Sequence, residues 1–306
     1  MTAREAVTVS GIRVELSNAG KVFFPDSEIT KGDLVGYYRD VAGRMLPYLR
    51  DRPLVMERYP DGITGERIVQ KNVPRYFPEW ITRTRVKKQD GTLLQVICDK
   101  PATLVYLANQ ACVEMHAFLS RTSALDRPDQ LVFDLDPPDD EHFALVRHLA
   151  LRLRELLEDE LGLTAFVKTT GGKGLHVHVP LSARDDFDAV RRFARQASEV
   201  VAAREPDSLT VEQRKDSRGD RVYSDVMRNA YAQTAVAPYS VRARPGAPVA
   251  TPLRWEELDD PGLTPHQFTL RTVGERLARR PDPWAGLARH RYGLARAAQR
   301  LGQIGR

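Results

Sequence analysis

The chain has 306 residues, with 46 Lys and Arg against 41 Asp and Glu, a formal net charge of +5. That length suffices for one large α/β domain or two small ones, and the basic excess permits a polyanionic partner such as nucleic acid without establishing one. No apolar run reaches the ~20 residues of a bilayer-spanning helix, Met1 to Glu5 lacks a secretory layout, and Cys98 and Cys112 stand in no metal-binding or redox spacing, so a reducing cytoplasm and no membrane are expected.

In chain order, Leu34, Tyr37, Tyr38, Val41, Met45 and Leu46 recur at helical spacing and predict a helix over 31–48. Thr30 caps it, with Asp33 in the capping-box position. A strand is expected over 93–98, a helix over 101–119, a strand over 131–136 and a helix near 141–161. Residues 164–170 and 175–181 read as a hairpin joined by Gly171-Gly172-Lys173-Gly174, since tight reversal needs positive φ. A helix near 186–203 precedes a polar surface loop over 204–220. Strands near 221–227 and 235–242 follow, then a proline-rich stretch over 244–252, and the last forty residues return to helix.

The strand over 131–136 carries the most chemistry. Its period of two sends Val132, Asp134 and Asp136 to one face and Leu131, Phe133 and Leu135 to the other. Two neighbouring carboxylates repel, and hard divalent ions such as Mg²⁺ or Mn²⁺ neutralise such a pair. Pro137 and Pro138 stop the strand at an exposed edge, and solvated aspartates are the plain alternative. Asp225, in Tyr223-Ser224-Asp225, is a third candidate. Three convergent carboxylates suit two ions ~3.5–4 Å apart, the arrangement for nucleotidyl or phosphoryl transfer. Phosphate binders then belong nearby, and 168–176 supplies a glycine loop, Thr170, Lys173 and His176. This is not a P-loop spacing, and a glycine hairpin with a surface lysine is the plain alternative. His176 and His178 share a strand face, which makes a zinc fragment conceivable, but no cysteine or third histidine accompanies them.

The order of these pieces resembles a known family. Phe133-Asp134-Leu135-Asp136-Pro137, Thr170 to His176, Tyr223-Ser224-Asp225 and Ala235 to Val249, with Lys21-Val22-Phe23-Phe24-Pro25 and Thr30 to Leu34 near the start, are similar to the polymerase domain of bacterial ATP-dependent DNA ligase D. That domain belongs to the archaeo-eukaryotic primase superfamily and acts in non-homologous end joining.

The resemblance implies an α/β (α+β) primase-polymerase fold with a central mixed or antiparallel sheet flanked by helices. It implies a single polymerase domain over 1–306, divided into a DNA 5′-phosphate-binding part (1–100), a catalytic core (101–250) and a C-terminal helical cover (251–306). Asp134, Asp136 and Asp225 would be the catalytic, metal-binding carboxylates for two Mn²⁺ or Mg²⁺ ions. Thr170, Lys173, His176, Arg218, Arg244 and His116 would hold the incoming nucleoside triphosphate, and Lys21 and Lys31 a 5′-phosphate. For Lys31, a helix N-terminus beside a lysine is independently a suitable anion site.

The implied activity is nucleotide addition to DNA 3′ ends, ribonucleotides preferred, in gap filling and double-strand-break joining. Implied partners are DNA carrying a 3′ end and a 5′-phosphate, NTP or dNTP, Ku and a separate or fused DNA ligase, in the bacterial cytoplasm. The family's usual phenylalanine pair is replaced here by Ile68-Val69, which can touch a base but cannot stack on it. The resemblance ends with the polymerase region, so a stand-alone polymerase or one domain of a larger protein is expected. A catalytically weak DNA-end-bridging module and a metal-dependent phosphoesterase are the alternative readings.

Overall fold

The computed structural model describes residues 5–304, in two compact units. The first runs through Phe118 and takes in Val236–Ala250 and Phe268–Arg280. The second comprises Leu119–Ala235, Thr251–Gln267 and the chain from Pro281 on. Both combine helices with mainly antiparallel strands, the α/β class expected.

In the first unit, Cys112–Phe118, Pro53–Arg58, Gly91–Ile97 and Arg83–Lys88 lie side by side in that order, and Ile68–Gln70 adds to Pro53–Arg58. The helix Lys31–Leu49 starts at the expected cap. The Asp33 amide donates to Thr30 Oγ1 at 3.1 Å and the Thr30 amide to the Asp33 carboxylate at 2.8 Å, so two otherwise orphaned donors are satisfied. Its apolar stripe is buried, and the Tyr38 hydroxyl donates to the Val113 carbonyl at 2.7 Å while accepting the Val241 amide at 3.0 Å. A buried phenol oxygen used in both roles carries no desolvation penalty of its own.

Two expectations in this region need correction. The helix predicted over 101–119 ends at Asn109; Ala111 turns the chain at φ 63°, and Cys112–Phe118 is a strand. A short, nearly continuous apolar run fits a buried helix or a buried strand equally. The strand predicted over 235–242 stops at Val236, because Pro238 has no amide to donate and Tyr239 adopts φ 67°.

The second unit is organised by a six-stranded sheet: Leu209–Thr210, Val222–Asp225, Gln130–Asp136, Leu175–Pro180, Phe166–Thr169 and Pro252–Leu253, in spatial order. The first pair is parallel and the others antiparallel. The polar stretch over 204–220, expected wholly as loop, thus contributes the edge strand Leu209–Thr210. The predicted helix near 141–161 forms as Phe143–Glu155 and continues as a π turn, Leu156–Glu160. Helix Phe187–Arg204 packs on the sheet. Ser198 Oγ lies 2.8 Å from Ser224 Oγ, and Ser224 alternates with Asp225, so this helix covers the face opposite the carboxylates.

The predicted hairpin is present, with Gly171 at φ 63°. Gly174 is constrained differently: a Cβ there would lie 2.0 Å from the Leu135 carbonyl oxygen, which only a shift of the metal-candidate strand could relieve. Gly36, inside the first helix, has open space where a Cβ would go. Gly174→Ala should therefore destabilise the protein by about 1–3 kcal/mol, whereas Gly36→Ala should stabilise it by about 0.5–1 kcal/mol. Denaturant melts of the two variants should move in opposite directions.

Candidate active site

In the second unit the strand register does what sequence alone cannot. Asp134 sits directly opposite Asp225 on one side and His176 on the other, and Asp136 lies two residues along, opposite Tyr223. All three carboxylates therefore project from one sheet face, with His176, His178 and Lys168. Like charges directly opposed on antiparallel strands destabilise a sheet unless a cation intervenes.

Arg228 intervenes. Its Nε lies 3.2 Å from Asp134 Oδ2 and 3.9 Å from Asp225 Oδ2. The turn carrying it, Met227–Asn229, is fixed from both sides. Asp225 Oδ1 accepts the Met227 amide at 2.9 Å, and the Asn229 side chain bonds both the amide and the carbonyl of Val132. Asp134 is buried, which would raise its carboxyl, but His176 and Arg228 outweigh that and hold it well below the usual carboxylate range.

Burial and the Lys168 ammonium push His176 down to about 4 despite Asp134. The imidazole is then neutral at pH 7, and its Nε2, 3.3 Å from Asp134 Oδ1, serves as a hydrogen-bond donor. Arg228 is the cation in contact with Asp134. Asp136 goes the other way. Its side chain reaches the surface, but the surrounding protein and the Asp134 charge raise its carboxyl against the pull of Arg218 and Lys173. Asp134 and Asp225 share one guanidinium, and with Asp136 they form a donor set of hard oxygens that fits divalent Mg²⁺ or Mn²⁺.

The other expected residues of this unit are engaged locally. Thr170 Oγ1 donates to the Gly174 carbonyl and accepts the Gly172 amide, both at 3.1 Å, and so shapes the loop. Lys173 Nζ donates to the Pro138 carbonyl at 2.9 Å. The Arg218 guanidinium lies over the Tyr223 ring at 3.7 Å and donates to the carbonyls of Glu212 and Gln213. His178 packs edge-on to Trp284, 4.8 Å between centroids, and bonds Gln130 through Nδ1 at 3.1 Å, a core histidine rather than half of a zinc site.

The first unit holds the remaining candidates. Lys31 follows directly on the cap, its amide bonded to the Lys21 carbonyl. Its ammonium donates to the Ser17 carbonyl at 2.5 Å and Oγ at 3.1 Å. Burial first, then Lys21 and Arg58, bring Lys31 down to about 8. Lys21 is paired with exposed Asp61 at 2.6 Å, a weak, screened contact. Arg244 lies in a turn, its amide bonded to the Arg242 carbonyl. Ile68 and Val69 are exposed on their short strand.

His116 belongs to a cluster that the sequence did not announce. Glu57, Glu114 and His116 bring ligand atoms within 4.8 Å of one another. Glu57 and Glu114 are again directly opposed on paired strands. Here arginines fill the space: Arg242 Nε is 2.7 Å from Glu114 and Arg67 Nη1 is 3.4 Å from Glu57. Glu114, Arg242 and Arg228 escaped the sequence reading. A period-two reading of 112–118 would have put Glu114 and His116 on one face.

The family described as LigD, primase-polymerase domain, matches residues 30–284. The bifunctional non-homologous end joining protein LigD of Bacillus subtilis (strain 168) is 32% identical over 273 residues, covering 89% of this chain and 44% of that protein. The multifunctional non-homologous end joining protein LigD of Pseudomonas aeruginosa is 36% identical over 298 residues, 96% of this chain and 35% of that protein. The chain thus spans less than half the length of these relatives. Among solved structures, the polymerase domain from Mycobacterium tuberculosis ligase D in complex with DNA superposes with a TM-score of 0.85 at 33% identity, over 90% of this chain and 98% of that one. This chain belongs to the LigD primase-polymerase domain family.

Proposed function

We propose that this chain is a primase-type polymerase that adds nucleotides, ribonucleotides by preference, to DNA 3′ ends in gap filling and double-strand-break joining. The observation that carries the reading is the opposed Asp134–Asp225 pair with Asp136 beside it on one sheet face, in a chain of this family. The names of the relatives support end joining as the setting, and the DNA complex of the M. tuberculosis domain supports DNA as the substrate. Ku and a separate or fused DNA ligase are the partners this reading implies, in the bacterial cytoplasm.

Asp134, Asp136 and Asp225 would hold two divalent ions, which when bound lower the pKa of the primer 3′-hydroxyl and neutralise the triphosphate and departing pyrophosphate. The protein's own share is positioning and charge. Arg228 and neutral His176 fix Asp134 from two sides, so the carboxylate is oriented before substrate arrives. Arg218 and Lys173, the cations facing Asp136, are suited to the triphosphate, and Thr170 shapes the loop that carries Lys173. In the first unit, His116 and Arg244 are assigned to the nucleotide, and Lys21 and Lys31 to a 5′-phosphate.

Asp134→Ala, Asp136→Ala and Asp225→Ala should each slow primer extension by at least about a hundredfold, with DNA binding and the thermal melt little changed. Bound Mn²⁺, followed by electron paramagnetic resonance, should fall in the same variants. Extension at near wild-type rate in any of them would remove the two-metal reading.

The depressed Lys31 gives a pH test with a definite sign. Protonated Lys31 binds phosphate, and its proton leaves near pH 8, while a terminal phosphate, with a second pKa of about 6, stays dianionic. Preference for a 5′-phosphorylated over an unphosphorylated gap should shrink by up to about tenfold between pH 7 and 9, as the protonated fraction falls. Lys31→Arg remains charged and should flatten the profile. Paired binding titrations at fixed salt decide it, and a wild-type preference identical at both pH values would remove Lys31 from the site.

A further inference from the structure

Glu114 is a buried carboxylate held by a guanidinium, an imidazole and a backbone amide. It is 4% exposed, and it lies in the middle of Cys112–Phe118 on the same strand face as His116. Oε2 accepts from Arg242 Nε at 2.7 Å and lies 3.1 Å from His116 Nε2, while Oε1 accepts the Ala243 amide at 2.9 Å. Burial alone would raise this carboxyl, yet His116, Arg242 and the Ala243 amide hold it down to about 2, so it is ionised throughout the physiological range. The Arg242 carbonyl accepts the Arg244 amide at 2.8 Å, and the Arg244 carbonyl accepts the Ala247 amide at 3.0 Å. One carboxylate therefore ties His116 to the turn that presents Arg244.

The same cluster does not suit a metal ion. Arg242 and Arg67 already stand against its two carboxylates, and the Tyr59 hydroxyl donates to Glu57 at 3.4 Å. Each of these two carboxylates has an arginine of its own, whereas Asp134 and Asp225 share Arg228.

We propose that Glu114 is a positioning residue for nucleotide binding: it locks the His116 imidazole and the Arg242–Arg244 turn in the geometry that receives the triphosphate. This rests on the assignment of His116 and Arg244 to the nucleotide. Glu114→Gln keeps the shape but removes the charge that grips Arg242, and a loosened clamp weakens substrate binding more than the chemical step.

Steady-state primer extension on a gapped DNA, with the NTP varied at saturating Mn²⁺, should show a KM raised about tenfold in Glu114→Gln with kcat within about twofold. Arg242→Gln breaks the contact from its more exposed side and should reproduce the effect, which guards against misfolding of the buried variant. Arg244→Ala should raise KM by itself, and the Glu114→Gln, Arg244→Ala double variant should fall short of the sum of the two effects, as residues in one network do. A Glu114→Gln enzyme that folds and keeps wild-type KM, while Arg244→Ala raises it, would overturn the proposal alone. Unchanged KM in both His116→Ala and Arg244→Ala would remove the nucleotide assignment and the proposal with it. Loss of bound Mn²⁺ in Glu114→Gln would overturn it in favour of a metal site.

Discussion

Two carboxylates facing each other across paired antiparallel strands form an electrostatic problem that the local backbone cannot relieve. Register fixes their separation, and the pleat sends both to the same face. This chain sets the problem twice, with Asp134 opposite Asp225 and Glu57 opposite Glu114, and the surrounding residues are best understood as answers to it. Arg228, His176, Arg242, Arg67 and His116 all stand where such a charge pair needs a donor or a cation. Removing any one leaves ionised oxygen in a poorly solvated position, which costs more than the contact gains.

The two answers differ, and the difference has chemical meaning. Around Glu114 the compensation is complete: a guanidinium, an imidazole and a backbone amide share one carboxylate. Such a group is rigid and inert. Around Asp134 one guanidinium, Arg228, is shared with Asp225 at unequal distances, and a third acid, Asp136, is raised by burial and by the Asp134 charge against the pull of Arg218 and Lys173. Carboxylates that share one ion-pair partner can still take further positive charge, and hard divalent ions match oxygen donors better than a second side-chain cation does. On the proposed reading, like chemistry on like scaffolds separates into a strut and a reactive site according to whether each opposed carboxylate has an arginine of its own.

Much of this was legible in the sequence, for identifiable reasons. The alternation of Leu131 to Asp136 fixed which residues share a face, because a strand's period of two is strict. Thr30 with Asp33 located a helix start to the residue, because capping satisfies specific backbone donors. The apolar run over 112–118 was misread as helix because composition cannot distinguish a buried strand from a buried helix, and with it went the view of Glu114 and His116 as face-mates. Arg228 was invisible for another reason. Nothing in its neighbourhood marks it, and its role exists only once the Asn229 side chain has pinned its turn to Val132. Ion pairs between residues ninety positions apart are products of register, which a single sequence does not print.

The charge balance makes the same point at larger scale. A net charge of +5 over 306 residues is too small to identify a nucleic-acid-binding surface, since a uniform spread of that excess would be screened within a Debye length. What marks a functional surface is crowding. Lys31 keeps its ammonium beside Lys21 and Arg58 at the start of a capped helix, where the backbone amides add their own positive potential. Burial and two like charges make that lysine easier to deprotonate. On the proposed reading, the crowding that opposes the free protonated lysine becomes the field that attracts a dianionic phosphate. The phosphate proposed at Lys31 and the ions proposed at Asp134, Asp136 and Asp225 thus follow one rule: where the fold holds like charges close together, a ligand of opposite charge binds more favourably than at an evenly mixed surface.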